Sequence, residues 1–469
     1  MTNATIENAI NSAENDLLFC WDFLVDLKTN SIKDNQFTDR FIAFQLRLAT
    51  AIFRLHSLRD KIIIKEKDYV TRRKTFNERW FKGKMRQLAG YKEGIDYVVN
   101  IAKAIGDAYA YFFYHNDLEL LADHLSHQKV VNHTAGNGER GELEFLRNIK
   151  HIEGEFTLFH GITNILRYGD FSFIDLRKMK VTQIGELKTR WVAEDRLETN
   201  ITLFRKKPGR VSDNKRIIIP ELEKNRTGRQ QLGIANLLKG KHDPNSSQSN
   251  LVDPSYKSEI QSLLSKTKVN TVGFIKASSG VAFSCVKLKK LSLYKHLSHR
   301  DYKNLGSKIS KQLEEIVRGL IDVNSNDNAV LISSLLYDSK PGDKDIPGTV
   351  PLFWHEIDND LLKEVYFGQT VVMSLFNGIH LINKIEDRGF VVKSNYYVKA
   401  RTPTSKMKGG ISYFDLFIPY ITNHLFTENF VLGILDELEK SNLLNKAIQI
   451  QVKPQHQVEF FHRRRKPEE

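Results

Sequence analysis

Cysteine is nearly absent from this 469-residue chain: Cys20 and Cys285 are the only two. That excludes a disulfide framework and a cysteine-based zinc cluster. No apolar run approaches the roughly 18–20 residues of a membrane-spanning helix. The stretch from Met1 to Asn30 carries Glu7, Glu14 and Asp16 without a basic leader, so no signal peptide is expected. No G-x-x-x-x-G-K-[ST] loop occurs, which argues against a nucleotide-driven motor. Internal repeats are missing as well. These absences lead to the expectation of a soluble, cytoplasmic protein in a reducing compartment, with no membrane partner.

What is present is a strong basic excess. Lys and Arg number 70 against 56 Asp and Glu, a formal charge of +14. Such an excess suits a polyanionic partner, either nucleic acid or an acidic membrane surface. Apolar residues at 41% and charged residues at 27% are ordinary globular composition, and the length suggests two or three domains.

The first 128 residues contain no proline and read as helix. Leu17, Leu18, Trp21, Leu24 and Val25 recur three and four apart, as do Phe41, Phe44, Leu48, Ile52 and Leu55. A basic run with Arg72, Arg73, Lys74, Arg79, Lys82, Lys84 and Arg86 is interleaved with Tyr69, Phe76, Trp80 and Phe81. Cations with aromatics between them suit phosphates and bases, so Arg72, Arg73 and Lys74 are candidate nucleic-acid contacts.

Alternation then replaces the helical period. Glu155–Ile162, Phe171–Leu176 and Val181–Leu187 read as three adjacent strands, preceded by a helix over Glu139–Ile149. Further on, Leu222–Leu238 and Asn304–Asp322 read as helices, Val269–Lys287 as a strand pair around Ser278-Ser279-Gly280, and Ala329–Tyr337 as a strand. Tyr413–Ile450 returns to helix, and the tail holds Arg463, Arg464, Arg465 and Lys466. The expected organisation is a helical region over 1–128, a central α/β domain over 129–345, and a mixed α/β to helical region over 346–469.

One constellation carries chemistry. Glu186 and Lys188 stand two apart on a strand and therefore share a face. Asp170 opens the preceding strand behind Gly169, and neighbouring strands would bring it to Glu186. Two carboxylates together call for a cation, and hard oxygen ligands suit Mg²⁺ or Mn²⁺. Such an ion polarises a phosphodiester and lowers the pKa of a bound water, while a lysine can orient that water. Asp175 is the rival for Asp170, but five positions on it faces the other way and is expected to terminate its strand in a turn. Glu139, Glu142 and Glu144 sit early in the preceding helix, as N-terminal caps or as a further ligand.

Gly136-Asn137-Gly138-Glu139-Arg140-Gly141 matches the dinucleotide fingerprint G-x-G-x-x-G, but lacks a preceding apolar strand and a terminal acid on the next one. His151 and His160 flank the first strand and read as surface or core histidines. Trp354-His355-Glu356 reads as a solvated turn.

Helix with Glu, strand, strand opening at Asp170, then Glu186-x-Lys188 resembles the core of the PD-(D/E)xK nuclease superfamily, over about 55 of 469 residues from Gly136 to Arg190. The namesake proline is missing, with Tyr168-Gly169 in its place. The resemblance implies a restriction-endonuclease-like mixed sheet flanked by helices, metal-dependent hydrolysis of DNA in preference to RNA, and a setting in prokaryotic restriction or anti-phage defence. It also implies roles: Asp170 and Glu186 as metal ligands, Lys188 as the assistant to water, Glu142 ahead of Glu144 as a further ligand, and Gln231 in a following helix. The other class is a non-catalytic nucleic-acid-binding or scaffold protein. A partner subunit or homo-oligomer is compatible with both.

Overall fold

In the computed structural model the described residues are 3–29, 37–115, 137–148, 151–152, 155–193, 196–205, 255–288, 330–334, 351–389, 391–392, 397–399, 411–412 and 425–440, with the single positions 117, 120, 121, 124, 293 and 421. They form a mixed α/β protein that divides into two compact units: Met1–Ile217 with Lys290–Arg300, and Ile218–Lys289 with Asp301–Glu469. The helices expected over Leu222–Leu238 and Asn304–Asp322 lie outside the described residues, as do Gln231 and the basic tail. No helix among the described residues is long and apolar enough to cross a membrane.

The first unit opens with three helices, α1 (Asn3–Lys28), α2 (Phe37–Thr71) and α3 (Glu78–Tyr114). A shorter α4 (Asn137–Asn148) precedes the strands β1 (His151–Ile152), β2 (Glu155–Phe159), β3 (Phe171–Asp175), β4 (Lys180–Ala193) and β5 (Arg196–Arg205). The strands pair in chain order, each antiparallel to the next. The expected mixed sheet is thus an antiparallel meander among the described strands. Positions 128 and 129 both fall within the first unit. Helices and sheet share one core, because the apolar stripes of α2 and α3 find their partners on β2.

Phe41 and Phe113 pack on Phe156 with ring centroids 5.7 and 5.5 Å apart, and Phe44 stacks on Tyr109 at 4.0 Å. Buried Gln45 of α2 reaches the backbone of β2 from the side. Its Nε2 donates to the Thr157 carbonyl at 2.7 Å and its Oε1 accepts from Phe159 N–H at 3.1 Å. The amide occupies backbone groups that would otherwise offer an edge for pairing.

The helix α3 also fixes the loop after β2. Gly106 lies so close to the turn His160–Ile162 that a Cβ would stand 1.9 Å from the Ile162 carbonyl oxygen. Next to it, Asp107 accepts from the backbone N–H groups of Asn164 (2.6 Å) and Ile165 (3.1 Å). Gly106→Ala should therefore destabilise this unit by about 1–3 kcal/mol, the usual range for overpacking against backbone. A thermal melt of the variant coincident with that of the wild type would contradict the close approach.

The second unit holds a four-stranded antiparallel sheet with order β6-β7-β9-β8, from β6 (Thr271–Lys276), β7 (Val281–Lys287), β8 (Val330–Ser334) and β9 (Thr370–Asn377). The hairpin around Ser278-Ser279-Gly280 is as expected. Helices α5 (Lys257–Lys266) and α6 (Asn359–Tyr366) pack on it, and α7 (Gly378–Asp387) follows β9 directly. Three short strands, β10 (Val391–Val392), β11 (Tyr397–Lys399) and β12 (Ile411–Ser412), make a second small sheet, and α8 (Glu428–Lys440) is the last described element. Glu428 is buried and held by Lys384 Nζ at 3.0 Å.

Candidate functional site

β3 begins at Phe171, opposite Gly185 of β4. One residue earlier, Asp170 prolongs the ladder in its own way. Its N–H donates to the Gly185 carbonyl at 2.8 Å, its carbonyl accepts from His160 N–H at 2.9 Å, and its carboxylate Oδ2 accepts from Leu187 N–H at 2.6 Å. The side chain thus takes the place of a backbone carbonyl past the end of β3. It rests against the peptide that joins Glu186 to Leu187. Gly169 makes this possible: φ is +68°, in the left-handed region, and a Cβ would stand 2.5 Å from Ile184 Cγ2 and 2.9 Å from the Gly185 carbonyl oxygen.

Glu186 and Lys188 lie in the middle of β4 rather than at its end, because the strand runs on to Ala193 and pairs with β5, Glu186 opposite Thr202 and Lys188 opposite Asn200. Alternation puts both on one face, and Lys188 Nζ is 3.8 Å from Glu186 Oε1. Their side chains are exposed, at 45% and 73%. Tyr168 joins them: burial, and then the nearby Glu186 carboxylate, hold its phenol above the ordinary value, so it stays protonated. Asp170, Glu186 and Lys188 are therefore brought to one place, and Tyr168 is a member that sequence reasoning passed over as mere replacement for a proline.

Other expected members lie on other elements. Glu142 sits on α4, which packs on β4, and its Oε2 is buried. Glu144 makes a surface ion pair with Arg147 at 2.9 Å. Asp175 ends β3 in a turn as expected, its Oδ1 accepting from Arg177 N–H at 3.0 Å, and the bond to Lys178 holds its carboxyl below the usual range. Arg72, Arg73 and Lys74 are at the α2–α3 turn, the far end of α3 from this site.

Beneath the site runs a buried polar chain that no sequence signal announced. Tyr168 N–H donates to His124 Nδ1 at 3.1 Å, which leaves the proton of neutral His124 on Nε2, 3.1 Å from Tyr114 Oη. At the other end, His160 Nδ1 is 3.0 Å from the Gly169 carbonyl and must donate to it, so Nε2 accepts from Ser172 Oγ at 2.5 Å. Tyr114 Oη then donates to Ser172 Oγ, 2.5 Å away. The donors point one way, from Tyr168 N–H through His124, Tyr114, Ser172 and His160 to the carbonyl of Gly169. Both ends of the turn that presents Asp170 are held by it.

That direction requires His160 to be neutral, and burial pushes its pKa down to about 4 from 6.5. The sign follows from linkage. Between pH 6.5 and 4 the unfolded chain binds a proton at this histidine that the folded chain refuses, so stability falls as pH falls through that window. The full effect is on the order of 3 kcal/mol. Urea unfolding at pH 7 and pH 4.5 should show it, with a shallower pH dependence in His160→Gln. Equal pH dependence in the two proteins would remove His160 as the cause.

In comparisons with protein-family models, curated proteins and solved structures, the chain matches none of them.

Proposed function

We propose that this protein is a metal-dependent phosphodiesterase of the PD-(D/E)xK kind, with its active site at Asp170, Glu186 and Lys188 and nucleic acid, DNA in preference to RNA, as substrate. One observation carries the reading: the Asp170 carboxylate is bonded to Leu187 N–H at 2.6 Å, one peptide from Glu186, on a strand that also bears Lys188. The order of helix, strand, strand and strand over α4, β2, β3 and β4 supports it.

The donor set fits Mg²⁺ or Mn²⁺. Two hard carboxylates are what Mg²⁺ commonly takes from a protein, with waters and substrate phosphate completing the shell. Asp170 and Glu186 would hold the ion, which when bound supplies a water of lowered pKa and a polarised phosphate. Lys188 is the nearby cation that would orient the attacking water and offset charge growing on the phosphate. Tyr168, kept protonated, would donate a hydrogen bond to a phosphate oxygen, and the polar chain below it holds the Gly169–Asp170 turn in register with β4.

A second reading, a non-catalytic nucleic-acid-binding protein, is favoured by the loose 3.8 Å spacing and high exposure of Glu186 and Lys188. Nicking of plasmid and cleavage of single-stranded DNA and RNA with Mg²⁺, Mn²⁺ or EDTA separates the two. Binding survives chelation, whereas cleavage does not.

A further inference from the structure

From residue 63 to residue 87 no position is buried; the last core residue of α2 is Ile62 and the first of α3 is Leu88. This tip of the α2–α3 hairpin is held by contacts between its own two helices, such as the ion pair of Lys92 with Glu66, and by the Asn77 side chain, which caps α3 by accepting from Arg79 N–H at 2.9 Å. Nine of these 25 residues are Lys or Arg and three are acidic, so the tip carries +6 of the chain's formal +14. The acids are engaged already: Asp68 with Arg72, Glu78 with Lys82, and Glu66 with Lys92.

The same tip displays aromatic surface. Phe76 stacks on Trp80 at 4.7 Å, Tyr69 stands edge-on to both at 5.6 Å, and Trp80 is 45% exposed. Gly83, one turn along from Trp80, has nothing within 4 Å of where a Cβ would be. A glycine within an exposed helix costs about 1 kcal/mol relative to alanine, and here no packing explains it. An aromatic platform ringed by cations matches a phosphate chain whose bases are free to stack; paired bases inside a duplex present no such face.

Trp80 and Tyr114 are 34 residues apart on α3, which at 1.5 Å per residue is about 50 Å. Tyr114 is bonded to Ser172, two residues from Asp170. The tip is therefore well removed from the Asp170–Glu186 pair, by roughly fifteen bases of a strand stacked at ~3.4 Å each.

We infer that the α2–α3 tip is a remote grip for single-stranded nucleic acid, with bases stacking on Trp80 and Phe76 and the tip cations on the phosphates. Only the spacing to the active site rests on the proposed hydrolase; the grip stands without it. The test is fluorescence anisotropy of the full chain with labelled 40-nucleotide and 8-nucleotide single-stranded DNA in EDTA, so that no cleavage intervenes. Trp80→Ala with Phe76→Ala should weaken binding of the 40-mer about tenfold or more, the scale of one lost base stack, with thermal stability retained. Arg73→Gln with Lys74→Gln and Arg79→Gln should flatten the salt dependence of that binding instead. Asp175→Asn, at a carboxylate that serves the turn after β3, should bind as the wild type does. If the aromatic variant binds the 40-mer as tightly as the wild type, the grip is refuted. It is refuted equally if the protein leaves both oligonucleotides unbound and associates with phosphatidylserine–phosphatidylcholine vesicles. Where the wild type cleaves, tip variants should slow cleavage of the 40-mer and spare the 8-mer; a chain that cleaves nothing but loses 40-mer binding on Trp80 substitution overturns the hydrolase and keeps the grip.

Discussion

Glu186→Gln and Lys188→Ala should each lower metal-dependent cleavage by about 10²–10³, the usual worth of one charge placed at a reacting phosphate, while folding and nucleic-acid binding persist. Both side chains are exposed on the middle of β4, so neither carries packing whose loss would unfold the protein. Asp170 has two duties, and two substitutions separate them. Asp170→Asn removes the charge but keeps an oxygen for Leu187 N–H, whereas Asp170→Ala also leaves that N–H without its 2.6 Å acceptor. Cleavage should fall in both, and stability mainly in the alanine variant, by about 1 kcal/mol or more. Asp175→Asn is the control, since its carboxylate serves the turn after β3. Wild-type rates in Glu186→Gln would mean that the chemistry is not at this strand.

Gly169→Ala should produce the largest loss of stability of any change in the site, about 3 kcal/mol, together with loss of cleavage. A left-handed backbone costs an L-residue roughly 1–2 kcal/mol, and the clash of its Cβ with Ile184 and Gly185 adds overpacking of about 1–3 kcal/mol. Asparagine tolerates the left-handed region better than alanine does, yet its Cβ meets the same 2.5 Å contact with Ile184 Cγ2. Gly169→Asn should accordingly be no rescue. Denaturant titration of the two variants checks this; a stable Asn variant would assign the requirement to backbone angle alone.

The elements of this fold were legible where one period dominates. Leu17 to Val25 and Phe41 to Leu55 repeat at helical spacing because each helix buries a single stripe, and α1 and α2 span them. Runs of apolar residues between turn signals marked β2, β3 and β4, and the acid at Asp175 marked the hairpin turn. Asp170 and Glu186 could be paired because antiparallel neighbours joined by a short turn keep a predictable register. The ends of elements were harder to read. β4 continues through Lys188-Thr189-Arg190, whose polar side chains give no apolar alternation, although β5 supplies the backbone partners. The polar chain of Tyr114, His124, Ser172 and His160 was invisible because its members are 58 residues apart at the widest and belong to no motif. Gln45 was hidden for the same reason: a glutamine in an apolar helical stripe looks like a lapse in the pattern until the strand it caps is known. A change of periodicity marks a change of secondary structure, and here helices and strands share one core.

The first unit is finished by a piece of chain that arrives late. Leu293 is buried and its N–H donates to Glu14 Oε2 at 3.1 Å, although more than 70 residues of the other unit come between it and Ile217. During synthesis at about 5–20 residues per second, that piece leaves the ribosome roughly 4–15 s after the rest of its unit. For that interval the nascent helices and sheet have to persist without their closing segment, and any expression boundary drawn after Ile217 would make the interval permanent.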